Sequence, residues 1–292
     1  MAIDPEHEKA YSPGAWSKKY TEGYEEFLEI SKQATIDARN SIPCKLDIAY
    51  GPTELMKYDY YGTNLPNDAP ALIFIHGGYW QECSKEHAGF HIKQLVSKGI
   101  KVFNLGYNLC PQVTLSNLVA ETRTGIEEIL KVCRKMGCKG VWVAGHSAGA
   151  HLTASLLYDR EWLTAIKQSK QLHLLKGLIL IAGIYSLEPL LTTSFNEALK
   201  LTDHEVKTLS FNALDMSKVE AVNNLKVIAV VGEKDAPVFV KESKNYSKRL
   251  IEFVDQVEFV LLRDMIDHFD IVENLRDPNY LLTKIIINNI MS

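Results

Sequence analysis

Long apolar runs are missing from this sequence. No stretch approaches the ~18 to 20 consecutive apolar residues that a membrane-spanning helix needs, and the opening MAIDPEHEKAYSPGAW lacks the basic-then-apolar order of a secretory leader. A membrane is therefore not an expected partner. Basic charge is scarce as well: 32 Lys and Arg stand against 36 Asp and Glu, for a formal net charge of −4. The cations are scattered, so no positive stripe marks nucleic acid as a partner. Cysteine is sparse and odd in number, with Cys44, Cys83, Cys110, Cys133 and Cys138. The closest pair, Cys133 and Cys138, matches no zinc or redox spacing, and unpaired thiols suit a reducing compartment. These features predict a cytoplasmic protein. Repeats, low-complexity tracts and Gly/Ser linkers are absent too, which predicts one domain over 1–292.

What is present is an ordinary globular composition, 46% hydrophobic and 23% charged. Runs rich in β-branched and aromatic residues, bounded by turn residues, predict strands over 45–50, 57–61, 71–75, 101–105, 140–144, 177–181, 226–231 and 256–262. The first two alternate apolar and other residues about Gly51-Pro52, as an antiparallel edge would. The later ones are nearly continuous apolar runs, as strands covered on both faces should be. Helical periodicity separates them. It is clearest over 116–136, with Leu118, Val119, Ile126, Ile129, Leu130 and Val132 on one face, Ser116 as cap and Gly137 as stop. Strand and helix in alternation predict the α/β class, with a mostly parallel eight-stranded sheet flanked by helices. Two segments break the alternation, 1–40 and 185–224, and both are expected to fold over the sheet's carboxyl edge as a small helical lid.

Chemistry enters at GVWVAGHSAG, residues 140–149. A strand ends in Gly145-His146-Ser147-Ala148-Gly149 and a helical segment follows at once, the strand–turn–helix setting of a nucleophile elbow in the α/β-hydrolase fold. Ser147 would stand exposed on a strained turn, and the Ala148 N–H, at the positive end of the following helix, would face a developing oxyanion.

In that fold the triad runs Ser, then acid, then His. Five of the nine histidines precede Ser147; His151 lies in the elbow helix; His173 and His204 come too early. His268, in the loop after the last strand, remains as the general base. The acid is expected at Asp235, just beyond the strand ending at Val231, with Pro237 opening the next helix. Glu233 and Asp267 are its rivals, the first too near the strand and the second adjacent to the histidine it would have to meet.

The stretch LIFIHGGYWQECS, residues 72–84, now has a use. An oxyanion hole needs backbone N–H groups from a loop after the third strand, and Gly77 and Gly78 allow the close approach. His76 is expected to brace that loop by a hydrogen bond. Tyr79 and Trp80 would set flat aromatic surface beside the reacting carbonyl and bind substrate, or else pack the loop onto the body. His87 and His91, at i and i+4, share a helix face as metal ligands do, but no H-E-x-x-H and no third ligand accompany them. They read as surface or packing histidines, and no metal is expected.

With these residues in hand, the sequence resembles the α/β-hydrolases of the hormone-sensitive-lipase-like group, whose H-G-G-G loop is His76-Gly77-Gly78-Tyr79-Trp80 here. More narrowly it resembles the kynurenine formamidases (arylformamidases), which combine HGGYW with G-H-S-A-G-A-H, present at 145–151. The likeness runs from Tyr11-Ser12-Pro13 through Leu187-Glu188-Pro189 to the His268 loop. It implies hydrolysis of N-formyl-L-kynurenine to L-kynurenine and formate, without metal or other cofactor. The alternatives are a general carboxylesterase on the same triad and a catalytically silent hydrolase fold that serves as a binding module. For the substrate's amino-acid end the candidates are Asn108, Ser186 and Tyr185. The oligomeric state stays open, a homodimer among the possibilities.

Overall fold

Eight strands form one sheet in the order β1-β2-β4-β3-β5-β6-β7-β8. In chain order they are β1 Cys44–Ala49, β2 Lys57–Tyr61, β3 Ala71–Ile75, β4 Lys101–Leu105, β5 Val141–His146, β6 Leu175–Ile181, β7 Val222–Gly232 and β8 Val254–Leu262. The computed structural model describes residues 2–20, 23–216 and 219–292. Residues 1, 21, 22, 217 and 218, which belong to the two lid candidates, lie outside the described residues. β2 runs antiparallel to both β1 and β4, and every other pairing is parallel.

All eight expected strands are present, and their ends show what an apolar run cannot encode. β7 begins at Val222, four residues before its predicted start, because Val222 pairs with Val254 of β8 across exposed Asn223 and Asn224. Ladder pairing is a property of the backbone and asks nothing of those side chains.

β3 shows why the site sits where it does. Its five residues are all buried, and alternate side chains enter opposite cores. Ala71, Ile73 and Ile75 join one core and Leu72 and Phe74 the other. Each fully buried Ile, Leu or Phe contributes roughly 1.5–3 kcal/mol of transfer free energy, so the strand's carboxyl end is rigidly held.

The helices are α1 Pro5–Ala10, α2 Glu25–Ser41, α3 Ile92–Ser97, α4 Leu115–Met136, α5 Ala148–Ala154, α6 Arg160–Gln168, α7 Asn196–Leu199, α8 Asp203–Leu209, α9 Pro237–Leu250, α10 Asp270–Glu273 and α11 Leu281–Met291. α4, α5, α6 and α9 supply side chains to the first core, and α2, α3, α10 and α11 to the second. The expected cap of α4 is corrected by two residues in the chain. Thr114, not Ser116, is the N-cap, its side chain accepting from the Asn117 N–H, while the Ser116 N–H donates to Glu205 Oε1. Gly137 ends the helix at φ 83°, as expected. Among the described residues no helix is long and apolar enough to cross a membrane.

The amino-terminal segment is clamped to the sheet. Buried Asp59 on β2 accepts from Arg39 of α2 at 2.6 Å and pairs with Lys85 at 2.9 Å. Near the other end of α2, Phe27 and Leu28 reach the cavity described next.

Candidate active site

β5 is buried throughout, and the chain leaves it through Ser147 at φ 56°, ψ −120° before α5 begins at Ala148. A non-glycine residue in that region is strained by on the order of 1–3 kcal/mol, a cost that the surroundings must hold in place. They do so by contact. A Cβ on Gly145 would lie 2.1 Å from the Gly149 carbonyl oxygen, and one on Gly149 would lie 2.2 Å from that of Ile75. The Ser147 N–H donates to Ile181 O at 2.8 Å, which fixes the turn against β6. Ala148 is the first residue of a helix, where N–H groups have no intrahelical acceptor.

The loop after β3 packs directly on this turn. A Cβ built on Gly77 would meet Ser147 Cβ at 3.1 Å and His146 O at 2.9 Å. From Gly78 onward the backbone winds left-handed, with φ of 104° at Gly78, 48° at Tyr79 and 58° at Trp80. At Gly78 a side chain is excluded twice, by that φ and by Glu82 O, 2.3 Å from the Cβ it would carry. His76 braces the loop: its Nδ1 lies 2.8 Å from Gly77 O and its ring stacks on Tyr107 at 4.1 Å. Burial lowers its pKa to about 3, so the ring is neutral.

The left-handed turn sends the two aromatic rings apart, 6.1 Å between centroids and nearly perpendicular. Tyr79 lines the cavity and stacks on Phe195 at 3.9 Å, while its hydroxyl donates to the Tyr11 carbonyl. Trp80 does not fulfil the expectation of a substrate wall. It is 0% exposed and sits edge-on to His151, itself buried with Nε2 2.9 Å from Leu209 O. Its ring therefore packs the loop onto the body.

His268 follows β8, and its Nδ1 lies 2.9 Å from Asp235 Oδ2, with both side chains buried. Asp235 also accepts from the Ala236 N–H at 2.7 Å. The rival acids are occupied elsewhere. Glu233 accepts from the Met265 N–H and from Arg263, and Asp267 accepts from Ser17 and from the N–H groups of Phe269 and Asp270. One support had no signal in the sequence: His146, inside the elbow motif, places Nε2 2.9 Å from His268 O. Burial, with the neighbouring His268, holds His146 well below the ordinary histidine range.

Ser147, His268, Gly77 and Gly78 line one cavity of about 260 Å³, whose remaining walls are largely aromatic and aliphatic, including Phe27, Phe90 and Phe269. Both lid candidates reach it, the first through residues 12–14 with Tyr24, Phe27 and Leu28, and the second through Phe195. They also hold each other. Asp4 N–H donates to Thr192 O at 2.8 Å, and Ser194 donates through N–H and hydroxyl to Glu8.

Other expectations are corrected here. His87 and His91 share no helix face, since His87 ends a short 3-10 turn and α3 begins only at Ile92; both line the cavity. Tyr185 is fully buried against Tyr246, Ser186 gives its N–H to Glu242, and Asn108 bonds Glu121 and Thr53. These three are thus engaged in the body of the protein, and none of them lines the cavity. Glu242 is a further residue that the sequence did not single out. From α9 it accepts from Tyr11 and from the N–H groups of Tyr185 and Ser186, and burial pushes its carboxyl up to about 7.

Against known proteins, a family model described as BD-FAE matches residues 59–250. A kynurenine formamidase of Danio rerio is 34% identical, covering 98% of this chain and 96% of its own length. One of Drosophila melanogaster is 30% identical over 85% of this chain and 83% of its own. Among solved structures, esterase B of Lactobacillus rhamnosis superposes with a TM-score of 0.70 at 17% identity, covering 96% of this chain and 94% of that one.

Proposed function

The chain belongs to the kynurenine formamidase family of α/β-hydrolases, and from that premise we propose that it cleaves N-formyl-L-kynurenine to L-kynurenine and formate through Ser147, His268 and Asp235. The observation that carries the reading is the convergence of the His268–Asp235 contact, the strained Ser147 and the glycine loop on one cavity.

His268 takes the proton of Ser147 as the hydroxyl oxygen attacks the formyl carbon. Asp235 fixes the imidazole tautomer and stabilises the imidazolium that forms. The N–H groups of Gly77, Gly78 and Ala148 receive the oxyanion, where fixed dipoles beside the buried Ser147 and His268 act more strongly than in bulk water. His268 then returns its proton to the departing aniline nitrogen, leaving a formyl ester on Ser147. Water, deprotonated by His268, hydrolyses that ester and releases formate.

The cavity suits this substrate in two respects. The glycine loop packs directly on the Ser147 turn, and a formyl carbon, which carries only hydrogen, asks for little space beside it. Aromatic walls at Tyr79, Phe27 and Phe269 suit an arylamine leaving group. Comparing kcat/KM for N-formyl-L-kynurenine with that for p-nitrophenyl acetate tests the assignment. A preference for the formamide is expected, and a strong preference for the ester would make the chain a general carboxylesterase.

A further inference from the structure

One residue of fixed charge, exposed at its rim, lines this cavity. Of the described residues that line it, Glu82 alone is an Asp, Glu, Lys or Arg. It is held close to the oxyanion loop: its N–H donates to Gly78 O at 2.8 Å, and its own carbonyl oxygen closes the space where Gly78 would carry a side chain. Its carboxylate meets no ion-pair or hydrogen-bond partner among the described residues, and partial burial raises its carboxyl above the ordinary range. A carboxylate left unpaired and partly desolvated gains from a cation brought to it.

Away from the oxyanion loop, the same walls carry no cationic side chain for a carboxylate. No Lys or Arg lines the cavity among the described residues. Three of its histidines, His76, His91 and His146, are held neutral by burial, the first two with pKa lowered to about 3. Burial lowers His87 as well. The fixed charge facing a bound ligand is thus negative.

We propose that Glu82 is a specificity residue that reads the ammonium of the substrate's amino-acid end, leaving the α-carboxylate to solvent. This rests on the reading that the cavity takes an aryl formamide with a charged side arm. Ligands that keep the ammonium but lose the carboxylate should bind well, and those that keep only the carboxylate should bind poorly.

The test is equilibrium binding of three ligands to the wild-type protein and to E82Q at pH 7.5: L-kynurenine, its decarboxylated amine and its deaminated acid. The amine is expected to bind about two- to fivefold more weakly to E82Q, the scale of a partly exposed ion pair, and the acid equally or more tightly. With the N-formylated ligands, E82Q should raise KM for the ammonium compounds and leave kcat nearly unchanged, since the contact is made before and during reaction alike. E82D should restore part of the preference, and unchanged melting temperatures would show that all variants are folded. Equal shifts for all three ligands, or none, would overturn the inference. Failure of the formamidase reading looks different: no turnover of formylated ligands while the ammonium preference in binding persists.

Discussion

His268 and Asp235, 33 residues apart in the chain, meet at 2.9 Å between Nδ1 and Oδ2, in surroundings that leave the imidazole 5% and the carboxylate 0% exposed. A buried carboxylate in this position sets which nitrogen of the ring faces the nucleophile. Asp235→Asn should therefore lower kcat by about 10⁴-fold with little change in KM. Glu233→Gln, which disturbs only the contacts to Met265 and Arg263 at the surface, should stay within a few-fold of the wild type. Steady-state kinetics of the two variants separates the acid from its rival.

Gly78→Ala meets two obstacles, a φ of 104° and a carbonyl oxygen 2.3 Å from the new Cβ. The loop must shift, and donors aimed at an oxyanion tolerate little displacement. A loss of about 10²- to 10³-fold in kcat is expected. Gly99→Ala is the control: its φ is 83° but nothing lies within 4 Å, so it should cost about 1 kcal/mol of stability and leave kcat alone.

Trp80→Ala should act on stability rather than on substrate binding. The ring is wholly buried beside His151, and truncating such a side chain costs roughly 3–5 kcal/mol. Chemical denaturation should show that loss, with KM near the wild-type value in protein that remains folded. Trp80→Phe should cost less, since the indole N–H has no acceptor among the described residues.

Glu242 makes stability depend on pH. Burial lifts its carboxyl from an ordinary 4.5 up to about 7 in the folded protein, so between those values the native state binds the proton that the unfolded chain has released. The group's contribution is then fully present below about 4.5 and is lost as pH rises through 7, a change of at most on the order of 3 kcal/mol. Urea unfolding at pH 5 and pH 7.5 should show the wild type losing stability relative to Glu242→Gln as pH rises. An unchanged difference would count against the buried carboxyl as its cause.

The parts of this architecture that were legible in the sequence are those encoded locally. Buried strands announce themselves as apolar runs, and Ser147 is flanked by glycines because nothing larger fits between β5, α5 and the end of β3. His268 and Asp235 follow from chain order, which the sheet topology enforces. What stayed hidden depends on distant contacts or on the direction a backbone takes. Tyr79 and Trp80 look equivalent as letters, yet a left-handed turn faces one to the cavity and the other to the core. The wall formed by residues 12–14 with Tyr24, Phe27 and Leu28 rests on pairs such as Ser17 with Asp267, separated by 250 residues. His146 reads as the variable letter of a motif, and its bond to the His268 carbonyl exists only in the folded chain.

The account turns on Ser147 as the atom that attacks. Its most direct test is kcat/KM for N-formyl-L-kynurenine in the wild type and in Ser147→Ala, with both proteins shown to be folded by their melting curves. The expected result is a fall of about 10⁶-fold, the scale on which losing a triad nucleophile acts. Activity retained within tenfold of the wild type would contradict it.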